Sequence, residues 1–204
     1  MNLKWNYWYF KNAIPHRICD QIVKHGQSLQ EQLALVGHFK NDKLSKKEIK
    51  DLKKIRNSNI AWIKDSWVYR AILPYINIAN KNAKWNFQID YPEPCQFTKY
   101  KLNQYYDWHQ DSFEDPYDKN NENSGKIRKL SVTCSLSDSK EYEGGELEFS
   151  FYKGHRKNIN IKCNEILPKG SVVVFPSHVW HRVKPVIKGI RYSLVIWMLG
   201  DPFK

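Results

Sequence analysis

The sequence predicts a mainly β protein of the α+β class, in which helices flank the strands. Residues 129–136 alternate apolar side chains with small hydroxyl side chains, a pattern typical of a strand with one buried face. Residues 172–175 form a short β-branched and aromatic run between Gly170 and Pro176, which indicates a buried strand. Residues 191–198 form another strand, so the strand patterns concentrate in the C-terminal half of the chain.

Two helices are predicted in the N-terminal half. Isoleucines recur every fourth residue from Ile14 to Ile22, which predicts an amphipathic helix that ends at Gly26. The longest helix candidate covers residues 66–83, and Pro74 within it predicts a kink or a break. These helices should lie on a sheet, because each of them has an apolar stripe to bury.

The length of the chain and the positions of the predicted strands and helices indicate the domain organisation. A chain of 204 residues is long enough for one domain with a packed core. We expect a single domain, 1–204, in which N-terminal strands and supporting helices occupy 1–92 and a β core occupies 93–200. Residues 86–90 are expected to start the sheet again after the second helix.

Composition disfavours several classes of protein. No apolar run approaches the roughly 20 residues of a membrane span, and residues 1–15 lack the apolar centre of a signal peptide. We therefore expect a soluble, cytoplasmic protein without a membrane partner, whose four cysteines are buried free thiols. The formal net charge of +12 allows attraction to nucleic acid. The lysines are spread out rather than set in one stripe, which disfavours dedicated recognition.

A candidate pair of metal ligands lies near the middle of the chain. His109 and Asp111 stand two residues apart in an aromatic stretch that begins at Tyr100. Alternate side chains of a strand share a face, so the imidazole and the carboxylate can reach one point. They make two thirds of a 2-His-1-carboxylate site, whose open positions suit non-haem Fe(II). The pair by itself also fits a polar strand face that binds no metal.

One arginine is expected to point into the protein. Arg191 shares a strand face with Ser193, Val195 and Trp197. An arginine among apolar neighbours is costly unless it meets an anion. Because a guanidinium can hold a carboxylate through two parallel hydrogen bonds, Arg191 is suited to bind a dicarboxylate co-substrate.

A longer set of motifs extends from residue 96 to residue 199. Its members are Tyr100, Tyr106, His109, Asp111, Gly144 to Leu147, Pro168 to Ser171, Phe175, Pro176, His181, Val183, Pro185, Val186, Gly189, Arg191, Ser193, Leu194 and Trp197. Their order and spacing resemble the Fe(II)/2-oxoglutarate-dependent dioxygenases, and most closely the prolyl 4-hydroxylase-like branch of that family.

The resemblance implies a double-stranded β-helix, a jelly-roll whose larger sheet carries the N-terminal helices. It implies that His109, Asp111 and His181 ligate iron. His181 is preferred to His178 because it precedes a Val-x-Pro-Val stretch and stands at the family distance from Arg191. The open positions on Fe(II) would take 2-oxoglutarate and O2, and ascorbate is the expected reductant.

The resemblance also implies roles around the co-substrate. Arg191 would pair with the remote carboxylate of 2-oxoglutarate, assisted by Tyr100, Ser193 and Ser131. Ser135 stands where prolyl hydroxylase relatives frequently have a tyrosine, which weakens any role carried over from that strand.

Candidate substrate contacts lie in other segments. Arg56 and Trp62 fall in a short predicted strand of the N-terminal region, which contributes a wall of the substrate cleft in the enzymes that this chain resembles. Trp108, inside the metal-binding stretch, is a third candidate. Residues 113–125 are polar, aperiodic and begin two residues after Asp111, so they are either a lid over the substrate or a hairpin tip without a role.

The leading hypothesis is a dioxygenase that hydroxylates a prolyl or other residue in a peptide or protein, while 2-oxoglutarate is decarboxylated to succinate and CO2. A hydroxylase of a free amino acid or small metabolite is the alternative, because 204 residues leave little room for a separate peptide-binding domain. Nucleic-acid demethylation is less favoured, since alkylation-repair relatives usually carry a second arginine and none follows Arg191. A non-catalytic jelly-roll binding protein would need neither the triad nor Arg191.

Overall fold

The structure, a computed structural model, describes residues 5–34, 46–113, 115–152 and 158–203. The α-helices in these segments are α1 (His16–Ser28), α2 (Lys46–Ile55) and α3 (Ser66–Asn82). The strands, in chain order, are β1 (Trp8–Phe10), β2 (Gln32–Leu33), β3 (Arg56–Asn57), β4 (Asn59–Ile63), β5 (Cys95–Tyr100), β6 (Tyr105–His109), β7 (Ile127–Ser135), β8 (Tyr142–Gly144), β9 (Leu147–Tyr152), β10 (Asn158–Lys162), β11 (Val172–Pro176), β12 (Trp180–Val183), β13 (Val186–Gly189) and β14 (Arg191–Gly200).

Two antiparallel sheets face each other. Among the described residues the larger sheet has seven strands in the order β1-β11-β7-β14-β5-β4-β2, and the smaller has five in the order β10-β9-β12-β6-β3. Strands β8 and β13 pair separately as a two-stranded ribbon. Side chains from both sheets meet between them, and the ring centroids of Phe149 on β9 and Phe175 on β11 are 5.0 Å apart. The predicted double-stranded β-helix is confirmed.

Helices α1 and α3 cover the outer face of the larger sheet, as the sequence predicts. Ile22 of α1 and Ile72 and Ile76 of α3 are fully buried in one apolar cluster with Leu194 and Ile196 of β14. Burying side chains of this size stabilises the fold by about 1.5–3 kcal/mol each. Since β14 sends these side chains toward the helices, its alternate residues point between the two sheets.

Helix α3 runs without interruption through Pro74, so of the two predicted outcomes, a kink or a break, the break is wrong. A proline in a helix interior costs about 3 kcal/mol, because it removes one backbone hydrogen bond and its ring crowds the preceding turn. Here the flanking Ile72 and Ile76 are completely buried, and their packing holds the turn in place. The free energy gained by burying the apolar face of α3 exceeds the cost of placing Pro74 in the helix interior.

Gly26 does not end α1, which continues to Ser28. Its role is to allow a close approach to the larger sheet. A Cβ atom at Gly26 would lie 2.5 Å from ring carbons of Phe97 on β5, which is closer than such atoms can come. The glycine therefore lets the helix backbone rest on the Phe97 ring.

Residues 86–90 are not a strand, contrary to the expectation from the sequence. Their backbone is held by the Asn80 side chain, which accepts a hydrogen bond from the Phe87 N–H at 3.0 Å and donates one to the Phe87 carbonyl at 2.9 Å. Lys84 and Asn86 have positive φ angles, so the chain turns sharply after α3. Local side-chain bonds thus replace the sheet bonds that a strand would make.

None of the described helices combines the length and the apolar character needed to cross a membrane. Cys19, Cys95, Cys134 and Cys163 are all buried and unpaired, as expected. Burial raises the pKa of the Cys19 thiol to about 11, so this thiol stays protonated at neutral pH and packs as a small apolar side chain.

Replacing Gly26 with Ala should destabilise the protein, although alanine is the better helix former by about 0.5–1 kcal/mol. The added methyl group meets the Phe97 ring, and such overpacking typically costs about 1–3 kcal/mol. Urea denaturation followed by circular dichroism measures the free energy of unfolding. The exposed Lys24→Ala change in the same helix should shift it by less than about 0.5 kcal/mol. A Gly26→Ala protein as stable as the wild type would contradict the close approach.

Candidate active site

Pairing between β6 and β12 brings two histidines of the sequence motif together. His109 is the last residue of β6, His181 lies in β12, and the two are directly opposite in the antiparallel register. Asp111 follows β6 by two residues, and its backbone N–H donates to the Ser177 carbonyl at 2.9 Å. Ligand atoms of the two histidines and the aspartate all lie within 4.8 Å of one another.

Hydrogen bonds to the main chain leave one nitrogen of each imidazole free. His109 Nδ1 lies 2.7 Å from the Asp107 carbonyl oxygen, and His181 Nδ1 lies 3.0 Å from the Val179 carbonyl oxygen. Because a carbonyl can only accept, Nδ1 carries the proton in each ring and Nε2 keeps its lone pair. The Nε2 atoms are 3.6 and 3.5 Å from carboxylate oxygens of Asp111. Metal-binding histidines are oriented by such contacts.

Burial and neighbouring charges set the protonation states of these ligands. Burial lowers the pKa of His109 well below its usual value, and the adjacent His181 lowers it further, so the ring is neutral at pH 7. Burial by itself would raise the pKa of Asp111, but His181, His109 and the Arg128 guanidinium outweigh it and bring that pKa to about 2. Neutral imidazole and ionised carboxylate are the forms that bind a metal ion.

Aromatic side chains fix the planes of the imidazole rings. Tyr106 stacks on His109 with ring centroids 3.4 Å apart, and Phe175 meets His181 edge-on with centroids 4.7 Å apart. Two imidazoles and one carboxylate beside an open cavity fit Fe(II) in a site of the 2-His-1-carboxylate type. His178, the alternative ligand from the sequence, is exposed and lies outside this cluster.

Arg191 lines a cavity of about 40 Å³ that all three candidate ligands also line. Its side chain is 3% exposed, and Nη1 donates to the Ser193 hydroxyl at 3.3 Å. The guanidinium carbon lies 5.4 Å from the ring centroid of Tyr100, its cross-strand partner on β5. No carboxylate in the described part of the chain forms an ion pair with Arg191. This buried positive charge is therefore available to an anionic ligand.

Other residues shape this cavity around the arginine. Burial raises the pKa of the Tyr100 phenol despite the nearby guanidinium groups, so it stays protonated and can donate a hydrogen bond. Gly145 has a φ of +63°, and a Cβ there would lie 2.9 Å from Arg191 Cδ. The glycine thus leaves room for the aliphatic part of the arginine side chain.

A larger cleft of about 630 Å³ opens beside the metal ligands. Arg56 lines both this cleft and the inner cavity, although only 5% of its surface is exposed. Its Nε donates to the Ser58 hydroxyl at 3.2 Å, while the buried Nη2 has no hydrogen-bond partner among the described residues. Trp62 also lines the cleft and is 38% exposed. The structure therefore places both residues beside the space that a substrate could occupy.

A buried ion pair connects the wall of the cleft to Asp111. Arg128 donates to the two carboxylate oxygens of Glu93 at 2.7 and 2.6 Å, and to the Asp111 carbonyl at 3.5 Å. The Tyr117 hydroxyl donates to the same Glu93 carboxylate at 2.7 Å, which fastens the loop 113–125. Sequence reasoning missed Glu93 and Arg128, because nothing in their local pattern distinguishes them from surface charges.

The loop 113–125 forms one wall of the cleft. Its described lining residues are Phe113, Tyr117, Asn120, Asn121, Glu122 and Asn123. The loop closes on itself where the Gly125 N–H donates to the Tyr117 carbonyl at 2.9 Å. Glu114 lies outside the described residues. The loop is thus closed by a backbone bond of its own and joined to the wall of the cleft through the Tyr117 side chain.

Two candidate contacts from the sequence lie elsewhere. The Ser131 hydroxyl is 2.9 Å from the Ser177 hydroxyl and does not line the inner cavity, whereas Thr133 on the same strand face does. Trp108 lies on the outer face of the smaller sheet, because the alternation that turns His109 inward turns its neighbour outward. The assignments of Ser131 to the co-substrate and of Trp108 to the cleft are therefore corrected.

Residues 95–199, about half of the chain, match the family model described as the 2OG-Fe(II) oxygenase superfamily. This span contains all three candidate metal ligands and Arg191. The chain belongs to the 2OG-Fe(II) oxygenase superfamily. Its family core extends from the first residue of β5 into β14, and so includes the strands that carry the site.

Two hydroxylases are similar to part of this chain. A PKHD-type hydroxylase of Synechococcus sp. (strain CC9605) is 39% identical over 93 residues, which cover 46% of this chain and 36% of that protein. The PKHD-type hydroxylase YbiX of Escherichia coli (strain 55989 / EAEC) is 32% identical over 127 residues, which cover 60% of this chain and 51% of YbiX. The chain thus spans about a third to a half of these relatives.

A solved structure shares the fold of this superfamily member over nearly its whole length. A prolyl-4-hydroxylase from Pseudomonas putida superposes with a TM-score of 0.66 and 19% sequence identity. The superposition covers 96% of this chain and 92% of that one. The common architecture therefore includes the N-terminal strands and helices as well as the family core.

Removing one imidazole of the cluster should weaken metal binding, whereas removing the neighbouring His178 should not. His181→Ala deletes a ligand atom, and its affinity for Mn²⁺ as a redox-stable probe should fall by about 100-fold or more. Isothermal titration calorimetry measures the affinity, and His178→Ala is the matched control, expected within about twofold of the wild type. Equal losses in the two variants would contradict the cluster as a metal site.

Replacing Glu93 with Gln should destabilise the protein, because it removes the carboxylate that forms the ion pair with the largely buried Arg128 guanidinium. Breaking a buried pair in this way costs roughly 3 kcal/mol in the free energy of unfolding. Glu143→Gln breaks an exposed ion pair to Lys188, 2.9 Å in length, and should cost less than about 1 kcal/mol. Urea denaturation compares the two variants, and equally small effects would show that the Glu93 pair is not desolvated.

Proposed function

We propose that this protein is an Fe(II)/2-oxoglutarate-dependent dioxygenase that hydroxylates a prolyl or other residue in a peptide or protein. The observation that carries the proposal is a metal-ligand cluster that shares its cavity with Arg191, a buried cation without a carboxylate partner among the described residues. A simple metal site has no need of that cation. Membership of the superfamily and the hydroxylase names of similar proteins support the proposal.

His109, Asp111 and His181 would hold Fe(II), because this ligand set leaves positive charge and open positions on the ion. When bound, the iron supplies oxidative chemistry in which O2 and 2-oxoglutarate give succinate and CO2 while a substrate C–H bond becomes C–OH. The protein holds both organic molecules beside the ion and limits access of water. Ascorbate is proposed as the external reductant that keeps the iron ferrous.

Arg191 would bind the remote carboxylate of 2-oxoglutarate inside the inner cavity. Charge-assisted hydrogen bonds of this kind contribute on the order of 1.5–3 kcal/mol each. The protonated Tyr100 hydroxyl, on the neighbouring strand, would donate a further bond to the same group. Ser193 accepts a hydrogen bond from the guanidinium and so orients it toward the cavity.

The larger cleft would receive the substrate. Arg56 lines both the cleft and the inner cavity, and its guanidinium, whose buried Nη2 has no hydrogen-bond partner among the described residues, would donate to a carbonyl of a bound peptide. The half-exposed Trp62 offers an apolar ring face against which a proline ring can pack. The loop 113–125 would cover the bound peptide, since it forms a wall of the cleft and Tyr117 fastens it to Glu93.

A hydroxylase of a free amino acid or small metabolite is the second candidate function. The same unpartnered group on Arg56 favours it, because a guanidinium can hold a free carboxylate as well as a peptide carbonyl. The two candidates differ in what stimulates turnover: a peptide with blocked ends in the first case and a free amino acid in the second.

Succinate formation from 2-oxoglutarate by the purified protein with Fe(II), ascorbate and O2 tests the proposal. We expect turnover to rise when a proline-containing peptide with blocked ends is added, and the peptide to gain one oxygen atom by mass spectrometry. Stimulation by free amino acids alone would select the second candidate. Absence of succinate with every substrate, in protein shown to bind metal, would overturn the dioxygenase proposal.

In the same assay, Arg191→Ala should raise the KM for 2-oxoglutarate by about 10–100-fold, since it removes charge-assisted bonds to one carboxylate. Its affinity for Mn²⁺ should stay close to that of the wild type, because Arg191 does not contribute to the ligand cluster. Arg17→Ala, at an exposed position on α1, is the control for loss of one positive charge. An unchanged KM in Arg191→Ala would remove the residue from the co-substrate site.

A further inference from the structure

Three side chains form a stack that ends at one of the candidate metal ligands. The Tyr106 ring lies on the His109 imidazole, with centroids 3.4 Å apart and planes inclined by 10°. The Arg56 guanidinium carbon is 4.5 Å from the centroid of the same Tyr106 ring. Because the imidazole already covers one face of the ring at contact distance, the guanidinium lies over the other face. Tyr106 is thus held between a cation of the cleft wall and a candidate metal ligand.

A bulge in β6 brings Tyr106 and His109 to the same side of the sheet. Two residues along β12, from His181 to Val183, match three along β6, from His109 to Tyr106, so β6 contains one extra residue. Side chains three positions apart on a regular strand face opposite ways. Here Tyr106 and His109 both line the cleft and the inner cavity. Bulges redirect side chains in this manner beside active sites.

Arg56 reaches the stack from the neighbouring edge strand. It is directly opposite Tyr106 in the antiparallel register of β3 and β6. Only 5% of its surface is exposed, and its Nε donates to the Ser58 hydroxyl at 3.2 Å. No carboxylate in the described part of the chain lies within ion-pair distance of it. Since a cation is attracted to an aromatic face more strongly when both are removed from water, the guanidinium and the Tyr106 ring hold each other in place.

The plane of the His109 ring depends on this contact. Apart from the stack, Nδ1 lies 2.7 Å from the Asp107 carbonyl oxygen, and a bond to one ring atom leaves the ring able to turn about that bond. On its other side His109 meets the His181 ring at an angle of 54°, with centroids 4.1 Å apart. The flat face of Tyr106 therefore sets the plane of the imidazole, and with it the direction of Nε2.

We propose that Arg56 is a positioning residue for the metal ligand His109, and that it acts through the Tyr106 ring. Neighbours that fix the orientation of a histidine ligand in advance strengthen metal binding. The inference rests on the proposed function, because it takes His109 to be a metal ligand. It gives Arg56, which lines the cleft, a second role at the metal site.

Isothermal titration calorimetry with Mn²⁺, in the absence of 2-oxoglutarate, tests the Tyr106 contact. Tyr106→Leu removes the flat ring and should raise the Kd by about tenfold, a usual loss for a residue that orients a metal ligand. Tyr106→Phe keeps the ring and should stay within about twofold of the wild type. Tyr105→Leu is the matched control on the same strand, because the Tyr105 hydroxyl donates to carbonyl groups of α2 rather than to the site.

Arg56→Lys tests the cation itself. Lysine keeps the positive charge, but its ammonium is a compact charge on a flexible stem and should hold the ring less firmly. The Kd for Mn²⁺ should rise about fivefold. Because the charge is kept, this rise is not a change in repulsion between residue 56 and the metal ion. In the Tyr106→Leu background the same change should have no further effect, since effects exerted through one side chain are not additive.

The visible absorption of bound Co²⁺ reports the geometry of the ligands and separates positioning from a loss of stability. We expect an altered spectrum in Tyr106→Leu and in Arg56→Lys, and the wild-type spectrum in Tyr106→Phe and in Tyr105→Leu. Circular dichroism confirms that each variant is folded. If Tyr106→Leu does not fold, Arg56→Lys still decides the matter, because it retains both charge and chain length.

Several outcomes would overturn the inference. Wild-type Mn²⁺ affinity or a wild-type Co²⁺ spectrum in Arg56→Lys is one, and an undiminished effect of Arg56→Lys in the Tyr106→Leu background is another, because Arg56 would then act without Tyr106. A wild-type protein that binds no Mn²⁺ would overturn the inference and the proposed function together. The expected pattern of affinities without any succinate formation would overturn the dioxygenase proposal and leave the positioning role of Arg56 standing.

Discussion

The antiparallel register between β6 and β12 is the constraint on which the rest of the site depends. It sets His109 opposite His181, and Asp111 returns to them as soon as β6 ends. Because side chains alternate along a strand, a slip of β6 by one residue would turn His109 outward, away from His181, and bring Trp108 inside. Burial protects the register, since Val183 and the ring of Tyr106 are packed between the two sheets next to the histidines. Packing thus fixes the geometry of the candidate ligands.

The larger sheet separates the apolar core from the polar interior. One face carries the fully buried aliphatic side chains beneath α1 and α3, and the other lines the cavities around the ligands. Buried polar groups on the second face are costly unless bonded, and Arg128 is satisfied by Glu93. Arg191 lines the inner cavity, and Arg56 lines both the inner cavity and the cleft, so both cations border space that ligands would fill. The aliphatic side chains packed beneath α1 and α3 therefore stabilise the fold, and the polar interior does not.

The local sequence pattern predicted the structure correctly where the two faces of an element lie in different environments. The alternation in β14 correctly separates Leu194 and Ile196 from Arg191, because helix packing and the cavity act on opposite faces. Prediction was wrong where a distant contact outweighs a local preference. Pro74 stays in a helix because its neighbours are buried, and the Asn80 side chain binds residues 86–90 in place of a sheet neighbour. Such contacts leave no periodic signal.

Motif order and strand alternation are properties of the chain, so they were enough to predict the superfamily, the double-stranded β-helix and the residues that could meet at a metal. Which residues surround the candidate ligands could be determined only from the tertiary structure. It joined Glu93 to Arg128, turned Trp108 away from the cleft and set it beside Trp180. These relations depend on which strands pair and in what register, and that is settled by burial of the whole core rather than by any local run of residues.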